Sequence, residues 1–274
     1  MARPGKLVDD APAYRRMAAI LFVRRNESAV YFEDAVDVSE TLAFIDAWNA
    51  KAEAPHLTLF TLLLFGMART LHEHPRLNRF VAGRKLYQRD GVWLSFAAKK
   101  SMEPKAPLVE VKRQFLEKET LSDFLNDMQS RMTEARGDAL SKLDREVAWF
   151  LKIPHLLLIF FVRMVSVVDF FGLLPASFIR DDPFFASAFL ANLGSVGGAA
   201  AYHHLYEYGD IPLFCVLGRA REEVVAIDGK PEVRKIARLR FSYDERIEDG
   251  FNAIRALATL REKLERPSTF VTHD

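Results

Sequence analysis

The segment at residues 240–251 reads RFSYDERIEDGF, and it decides the fold. Before it, apolar and polar side chains alternate, and a period of two predicts a half-buried strand that begins near Val233. After it, apolar residues recur at helical spacing until Pro267 ends the run, which predicts a helix. A strand therefore enters a charged corner and a helix leaves it, a position that holds reactive groups rigidly while exposing them. The residues on one side of the strand are Ala237, Leu239, Phe241 and Tyr243, and those on one helical face are Phe251, Ile254, Leu257, Ala258 and Leu264.

The corner resembles the catalytic corner of the dihydrolipoyl acyltransferases, the core subunits of 2-oxo acid dehydrogenase complexes. That family's pattern is Ser-[Tyr/Phe]-Asp-His-Arg-x-x-Asp-Gly leading into a helix, and residues 242–250 here read SYDERIEDG. Every position agrees except the family's catalytic histidine, which is Glu245 in this chain. By resemblance, Glu245 and Asp249 are candidate catalytic residues, Asp249 mainly as a structural partner at the corner. Arg246 is a candidate substrate-binding residue.

A second stretch with the same resemblance is residues 187–197, SAFLANLGSVG. The family has Thr-Ile-Ser-[Asn/Ser]-Leu-Gly followed by a glycine-containing turn. Asn192 and Gly194 match this pattern, and Ala191 takes the place of the serine. In those enzymes the serine hydroxyl hydrogen-bonds the oxyanion of the tetrahedral intermediate. Ala191, Asn192 and Gly194 are therefore candidate substrate-binding residues, and the resemblance as a whole covers most of residues 15–266.

Acyl transfer between thiols needs a base for the thiol proton and a hydrogen-bond donor for the oxyanion. Glu245 is normally ionised and weakly basic, and it serves as a base only if burial raises its pKa. Loss of one oxyanion-hole donor typically costs about 10²–10³ in rate. Asn192 is next in sequence but faces the opposite side of a strand, so a backbone N–H from residues 194–198 is the predicted substitute.

Two histidines, His203 and His204, lie in the segment AYHHLYEYG at residues 201–209. Histidine titrates near neutral pH, so the pair is a candidate displaced base. The competing interpretation is a pair of ordinary loop or interface histidines. No metal site is predicted, because two histidines of the segment HEH at residues 72–74 make a poor ligand set.

The composition limits the classes of function. The chain has 274 residues and a formal net charge of +1, which gives no electrostatic reason to expect nucleic-acid binding. A single cysteine, Cys215, excludes an internal disulfide and fits a reducing compartment. Residues 1–16 lack the apolar core of a signal peptide. We therefore expect a cytoplasmic protein.

The predicted segments are a flexible arm at residues 1–14, an acyltransferase-like domain at residues 15–266 and a tail at residues 267–274. Within the domain, residues 148–182 form a hydrophobic insertion where the family resemblance is weakest. Arg163 and Asp169 interrupt its apolar run, whereas a membrane span needs roughly 20 predominantly apolar residues. Three interpretations stay open. The insertion packs against the core or a neighbouring subunit, contacts a membrane surface through residues 148–179, or lines an apolar tunnel for an acyl chain.

The resemblance implies an α/β fold of the chloramphenicol acetyltransferase type, a mixed sheet with packed helices, here with the hydrophobic helical insertion added. It also implies a homotrimer in which Glu245 of one copy faces the Ala191 strand of the next. The first functional hypothesis is an acyltransferase that uses a coenzyme A thioester and has no covalently bound cofactor. The second is a non-catalytic trimeric scaffold, or a relative that binds a ligand or a membrane. Because no lipoyl domain precedes the fold, a free CoA ester or a separate carrier is the expected donor.

Overall fold

The computed structural model describes residues 4–52, 54–99, 108–136 and 152–271. The strands are β1 (Gly5–Leu7), β2 (Ala29–Asp37), β3 (Arg79–Ala82), β4 (Lys85–Arg89), β5 (Val92–Lys99), β6 (Leu108–Phe115), β7 (Ala188–Asn192), β8 (Leu213–Leu217), β9 (Arg221–Ile227) and β10 (Lys230–Asp244). The helices are α1 (Ala13–Leu21), α2 (Ser39–Asn49), α3 (Leu59–Glu73), α4 (Leu121–Arg136), α5 (His155–Phe170), α6 (Ala176–Asp181) and α7 (Gly250–Glu265).

The main sheet has seven strands in the order β2-β10-β8-β7-β5-β6, with β9 paired to β10. The pairs β5–β7 and β7–β8 are parallel, and the remaining pairs are antiparallel. A three-stranded antiparallel sheet, β1-β4-β3, lies beside it. The main sheet is therefore mixed, as the sequence predicts for the chloramphenicol acetyltransferase type of fold.

β10 organises the main sheet, because its first half pairs with β9 and its second half lies between β2 and β8. The predicted alternation is confirmed. Arg238 and Arg240 lie on the outer face, where each is 2.7 Å from a carboxylate oxygen of Glu33. The residues buried in the core from this strand include Ala237, Leu239, Phe241 and Tyr243.

α7 buries a different face from the one that its large side chains suggest. Phe251 and Ile254 are 70% and 55% exposed. The helix lies close to α3, where a Cβ on Gly66 would be 3.4 Å from Leu260 Cδ1. The side chains at a contact set how closely two helices approach, and short alanines suit this approach where Phe251 and Ile254 do not. The buried residues of α7 are Ala253, Ala256, Leu260 and Leu264.

The N-terminal residues belong to the fold, so the predicted flexible arm is wrong for residues 4–14. Gly5–Leu7 pairs with β4, and Val8 and Ala11 are buried in the core. β4 would otherwise present an unpaired strand edge, which the added strand covers. The tail also packs on the core, since Val271 is 2% exposed. Residues 1–3 and 272–274 lie outside the described part of the chain.

The predicted hydrophobic insertion contains α5 and α6, and its residues 148–151 lie outside the described part. α5 has no buried residue. Val165 and Val168 contact a small apolar cluster beneath the helix, but Leu156 and Phe160 are 80% and 66% exposed. Among the helices that the structure describes, none is long and apolar enough to cross a bilayer. α5 is therefore an apolar helix that most of this chain leaves uncovered.

Candidate active site

The corner between β10 and α7 is held by a buried ion pair. Asp244 Oδ1 accepts hydrogen bonds from Arg246 Nε at 2.8 Å and from the Ser28 hydroxyl at 2.9 Å, and Oδ2 accepts from Arg246 Nη2 at 2.7 Å. Both side chains are almost wholly buried, and Arg25 adds a second guanidinium 3.8 Å from Oδ2. A buried charge network that is fully hydrogen-bonded fixes local geometry, so Asp244 sets the direction in which the chain turns.

Glu245 follows directly, and its side chain is left available. Its backbone is fixed, because its N–H donates to the Ser28 carbonyl at 3.0 Å and its carbonyl accepts from the Arg15 guanidinium. The side chain is half-buried. Within the described ranges, its carboxylate has no hydrogen bond or ion pair. The corner thus presents one carboxylate on a rigid backbone.

Asp249 and Arg246 have structural partners. Asp249 caps α7, because its Oδ1 accepts from the Asn252 N–H at 3.0 Å, and such a cap satisfies a donor at the start of a helix. Arg246 binds Asp244 with two nitrogens and donates from its Nη1 to the Phe22 carbonyl at 2.8 Å. The contacts of both residues build the corner.

The structure brings His203 to the same end of β10. The Ser242 hydroxyl donates to the His203 carbonyl, and the His203 ring stacks on Phe214 with centroids 4.0 Å apart. Nδ1 of His203 lies 2.7 Å from the His204 carbonyl. A carbonyl only accepts, so Nδ1 carries the proton and Nε2 is the basic nitrogen. Burial lowers the pKa of His203, which favours the neutral form of the ring. His204 stacks on His203 at 4.6 Å and is more exposed.

The second group of predicted residues lies at the opposite end of the sheet. Ala191 is level with Val216 on β8, and Val216 is level with Arg240 on β10. β10 continues from Arg240 to Asp244 before the corner begins, a distance of about 13 Å at roughly 3.3 Å per residue. Groups that act on one bond must lie about 3 Å from it. Within one subunit, Ala191 and Glu245 are therefore too far apart to act together.

The turn after β7 uses most of its own backbone donors. Ser195 N–H donates to Asn192 Oδ1 at 3.1 Å, and the N–H groups of residues 196–198 donate to carbonyls of Leu193 or Gly194. In the part of the chain that the structure describes, the Gly194 N–H and the Asn192 Nδ2 amide have no partner. Of the backbone N–H groups of residues 194–198 that the sequence offers as oxyanion donors, the structure leaves only that of Gly194 without a partner in its described part. The sequence sets Asn192 aside as a donor because neighbouring residues of a strand face opposite sides, but its amide, which has no partner among the described residues, makes it a second candidate donor for the oxyanion.

Gly194 is also required for packing, because no side chain fits at this position. A Cβ at this position would lie 2.8 Å from the Gly218 carbonyl oxygen, closer than carbon and oxygen can approach without displacement. The ends of β7 and β8 meet here, since Leu193 N–H donates to the Leu217 carbonyl at 3.0 Å. Gly194 therefore serves the close approach of two chain segments whatever its part in binding.

A buried arginine and a cavity beside the corner were not predicted from the sequence. Arg25 is buried and donates to the carbonyls of Tyr206 and Gly209. With Arg246, it lines a cavity of about 240 Å³ whose other walls include Val165 and Phe170 of α5. The sequence shows two adjacent arginines at positions 24 and 25. Only the folded structure shows that Arg25 is the buried one.

Thiol chemistry is not available in the folded core. Cys215 is fully buried in β8, and burial raises the pKa of its thiol. A thiol that stays protonated is a poor nucleophile. As for metals, the described ranges hold no group of three or more His, Cys, Asp or Glu side chains that could bind an ion.

One part of the sequence matches a known family of catalytic domains. The sequence pattern of the family "2-oxoacid dehydrogenases acyltransferase (catalytic domain)" matches residues 186–272. A relative is the dihydrolipoyllysine-residue succinyltransferase component of the 2-oxoglutarate dehydrogenase complex from Rickettsia bellii. It is 45% identical over 51 residues, which span 19% of this chain and 13% of that protein.

Two solved structures share the fold. A probable dihydrolipoamide acetyltransferase from Listeria monocytogenes has a TM-score of 0.64 at 17% identity, with 95% of this chain and 92% of that chain covered. A chloramphenicol acetyltransferase has a TM-score of 0.51 at 11% identity, with 98% and 100% covered. The chain therefore has the chloramphenicol acetyltransferase-like fold of acyltransferase cores, and its residues 186–272 match the catalytic domain of the 2-oxoacid dehydrogenase acyltransferase family.

Proposed function

We propose that the chain is an acyltransferase that moves an acyl group from a coenzyme A thioester to an acceptor, with Glu245 as the general base. The observation that carries the proposal is the Glu245 carboxylate, which stands on a rigid corner without a partner in the described ranges. Glu245 takes the proton of the acceptor's thiol or hydroxyl while the acceptor's sulfur or oxygen attacks the thioester carbonyl. The tetrahedral intermediate then collapses, the C–S bond breaks, and the proton passes to the coenzyme A thiolate.

Substrate binding brings Glu245 into a drier environment, in which it can act as a base. The side chain is half-buried in the free protein. A substrate that covers it removes the remaining water, and a carboxylate that has lost its hydration accepts a proton more readily. His203 is the alternative base, because burial favours its neutral form and Nε2 is its basic nitrogen.

The oxyanion requires a donor that Ala191 cannot provide. We assign this role to the Asn192 Nδ2 amide or the Gly194 N–H, the two donors that the turn after β7 leaves unused. Because these donors and Glu245 lie at opposite ends of one subunit's sheet, the complete site forms between copies, with the corner of one facing the β7 end of another. The homotrimer implied by the sequence resemblance is the assembly that we propose for this purpose.

The test is thiol release from a panel of acyl-CoA esters, from acetyl to palmitoyl, with and without candidate acceptors. We expect Glu245→Gln to lower the rate by at least about 10²-fold, because general base catalysis contributes that much or more. The matched control is Glu232→Gln, a change of an exposed glutamate on β10. Unchanged turnover in Glu245→Gln would remove Glu245 as the base, and His203→Gln then tests the alternative.

The shared site makes a separate prediction about concentration. If each site needs two copies, the activity per subunit falls when the protein is diluted below the dissociation constant of the assembly. Activity that stays constant while light scattering reports dissociation to monomers would contradict a site built between copies.

A second candidate function is a non-catalytic protein that contacts a membrane surface through α5. The specific observation is the exposure of this helix, which is apolar and contains no buried residue. Sedimentation with lipid vesicles tests it. Absence of thiol release with every donor, together with vesicle binding, would favour this second function over acyl transfer.

A further inference from the structure

A second cavity lies between β4, β5 and β6 of the two sheets and the short helix α6. Its volume is about 240 Å³. A cavity of about 150 Å³ holds a benzene molecule, so this one has room for a ring and one further group. None of its lining residues is acidic. The lining residues that matter here are Arg89, Trp93, Lys112, Ile179, Arg180 and Phe185.

Lys112 brings a positive charge to the cavity, and no carboxylate of the described residues forms an ion pair with it. Its Nζ donates to the backbone carbonyls of Ile179 at 2.7 Å and Asp182 at 3.1 Å, and it lies 5.3 Å from the Trp93 ring centroid. An ammonium has three donors, so one N–H has no hydrogen-bond partner among the residues that the structure describes. The carboxylate of Asp182 is engaged elsewhere, accepting from the Tyr208 hydroxyl at 2.6 Å and the Phe184 N–H at 2.8 Å.

Arg89 supplies a second unused donor. Its Nη2 binds Asp210 Oδ1 at 2.7 Å, and the side chains of this ion pair are 1% and 3% exposed. Its Nε–H is buried and has no hydrogen-bond partner among the described residues. A buried donor without a partner costs free energy, and a ligand that accepts this hydrogen bond recovers that cost.

We propose that this cavity binds a small organic carboxylate. The carboxylate accepts from the Lys112 ammonium and the Arg89 Nε–H, and the apolar body of the ligand packs against Trp93, Ile179 and Phe185. Charge-assisted hydrogen bonds are the strong kind, and the apolar walls select an organic anion over an inorganic one. The site uses no residue of the corner or of the turn after β7, so it stands or falls independently of acyl transfer.

The probe for the experiment is benzoate, with benzyl alcohol as its uncharged analogue of similar shape. Calorimetric titration of the full chain should show saturable binding of benzoate to one site, with benzyl alcohol at least about tenfold weaker, because it lacks the charge that strengthens the hydrogen bonds. Inorganic phosphate should not compete. Equal affinity for benzoate and benzyl alcohol would overturn the proposal.

Two variants locate the site. Lys112→Met removes the charge while keeping much of the side chain's length, and it should weaken benzoate binding at least about tenfold. Lys118→Met, which alters an exposed lysine after the same strand, is the matched control and should bind as the unchanged protein does. Because Lys112 also tethers α6, Ala176→Phe provides a second variant: it fills the cavity from the first residue of α6 and leaves Lys112 in place. Benzoate binding that survives in Ala176→Phe and in folded Lys112→Met would refute the site.

Discussion

Asp244 and Arg246 form a two-pronged ion pair inside the corner, with Nε to Oδ1 at 2.8 Å and Nη2 to Oδ2 at 2.7 Å. The two residues are only two positions apart in the sequence. Asp244 also contacts Ser28 and Arg25, which lie in the segment before β2. The geometry of the corner therefore rests on contacts that do not involve the Glu245 side chain.

Replacement of Asp244 by Asn should destabilise the fold by about 3–5 kcal/mol, because it leaves the buried guanidinium groups of Arg25 and Arg246 without their countercharge. Denaturant unfolding measures the change. Glu33→Gln is the matched control, since Glu33 pairs with Arg238 and Arg240 near the surface, and exposed pairs contribute at most about 1 kcal/mol. A loss below about 1 kcal/mol in Asp244→Asn would mean that the corner relaxes around the missing charge.

Glu245→Gln should leave stability unchanged to within about 0.5 kcal/mol, the usual range for a substitution that breaks no buried contact. The reason is that the Glu245 carboxylate has no partner in the described part of the chain. Thermal unfolding of the variant beside the unchanged protein provides the measurement. A clear loss of stability would show that the side chain does structural work, and any loss of turnover would then need another explanation.

Phe160→Asp on α5 should leave thermal stability nearly unchanged. It should abolish the binding of α5 to its partner surface, which is either a membrane or another copy of the chain. Phe160 is 66% exposed, so its replacement removes little buried contact within this chain. Vesicle sedimentation and light scattering separate membrane contact from contact between copies. Val224→Asp on β9, where Val224 is 70% exposed, is the control for adding a charge to an exposed apolar position. Equal behaviour of the two variants in both assays would remove any special role for α5.

Lys112 gives the stability a characteristic pH dependence. Burial lowers the pKa of Lys112 from its ordinary 10.5 to about 8. Between these values the unfolded chain holds a proton that the folded protein does not, so the contribution of Lys112 to stability rises with pH through this window. The difference in unfolding free energy between the unchanged protein and Lys112→Met should therefore increase from pH 8 to pH 10. A difference that stays flat or falls would show that the side chain is better solvated than its position implies.

The sequence predicts β10 and the corner well, because their signals are local. The alternation from Val233 to Tyr243 needs only a period of two, and Asp244, Arg246 and Asp249 are bound to neighbours within three residues. The inward face of α7 is predicted less well, since it depends on how closely α3 approaches. Large side chains such as Phe251 point to one face, but the contact between the helices selects the alanine face.

The candidate site is only partly accessible from sequence for the same reason. A motif identifies Glu245, and a second motif identifies Ala191, but neither contains the register that sets them at opposite ends of the sheet. The cavity beside α6 has no motif at all. Lys112, Arg89 and α6 are far apart in the chain, and only the packing of the two sheets brings them together.

The burial of Cys215 has a practical consequence. This thiol sits in the middle strand of the main sheet, level with Leu190 on one side and Phe241 on the other, and it is the chain's single cysteine. A thiol-reactive dye can reach it only when β8 separates from its neighbours. The rate of labelling therefore measures how often the centre of the sheet opens. The measurement reports on one defined atom and needs no known substrate.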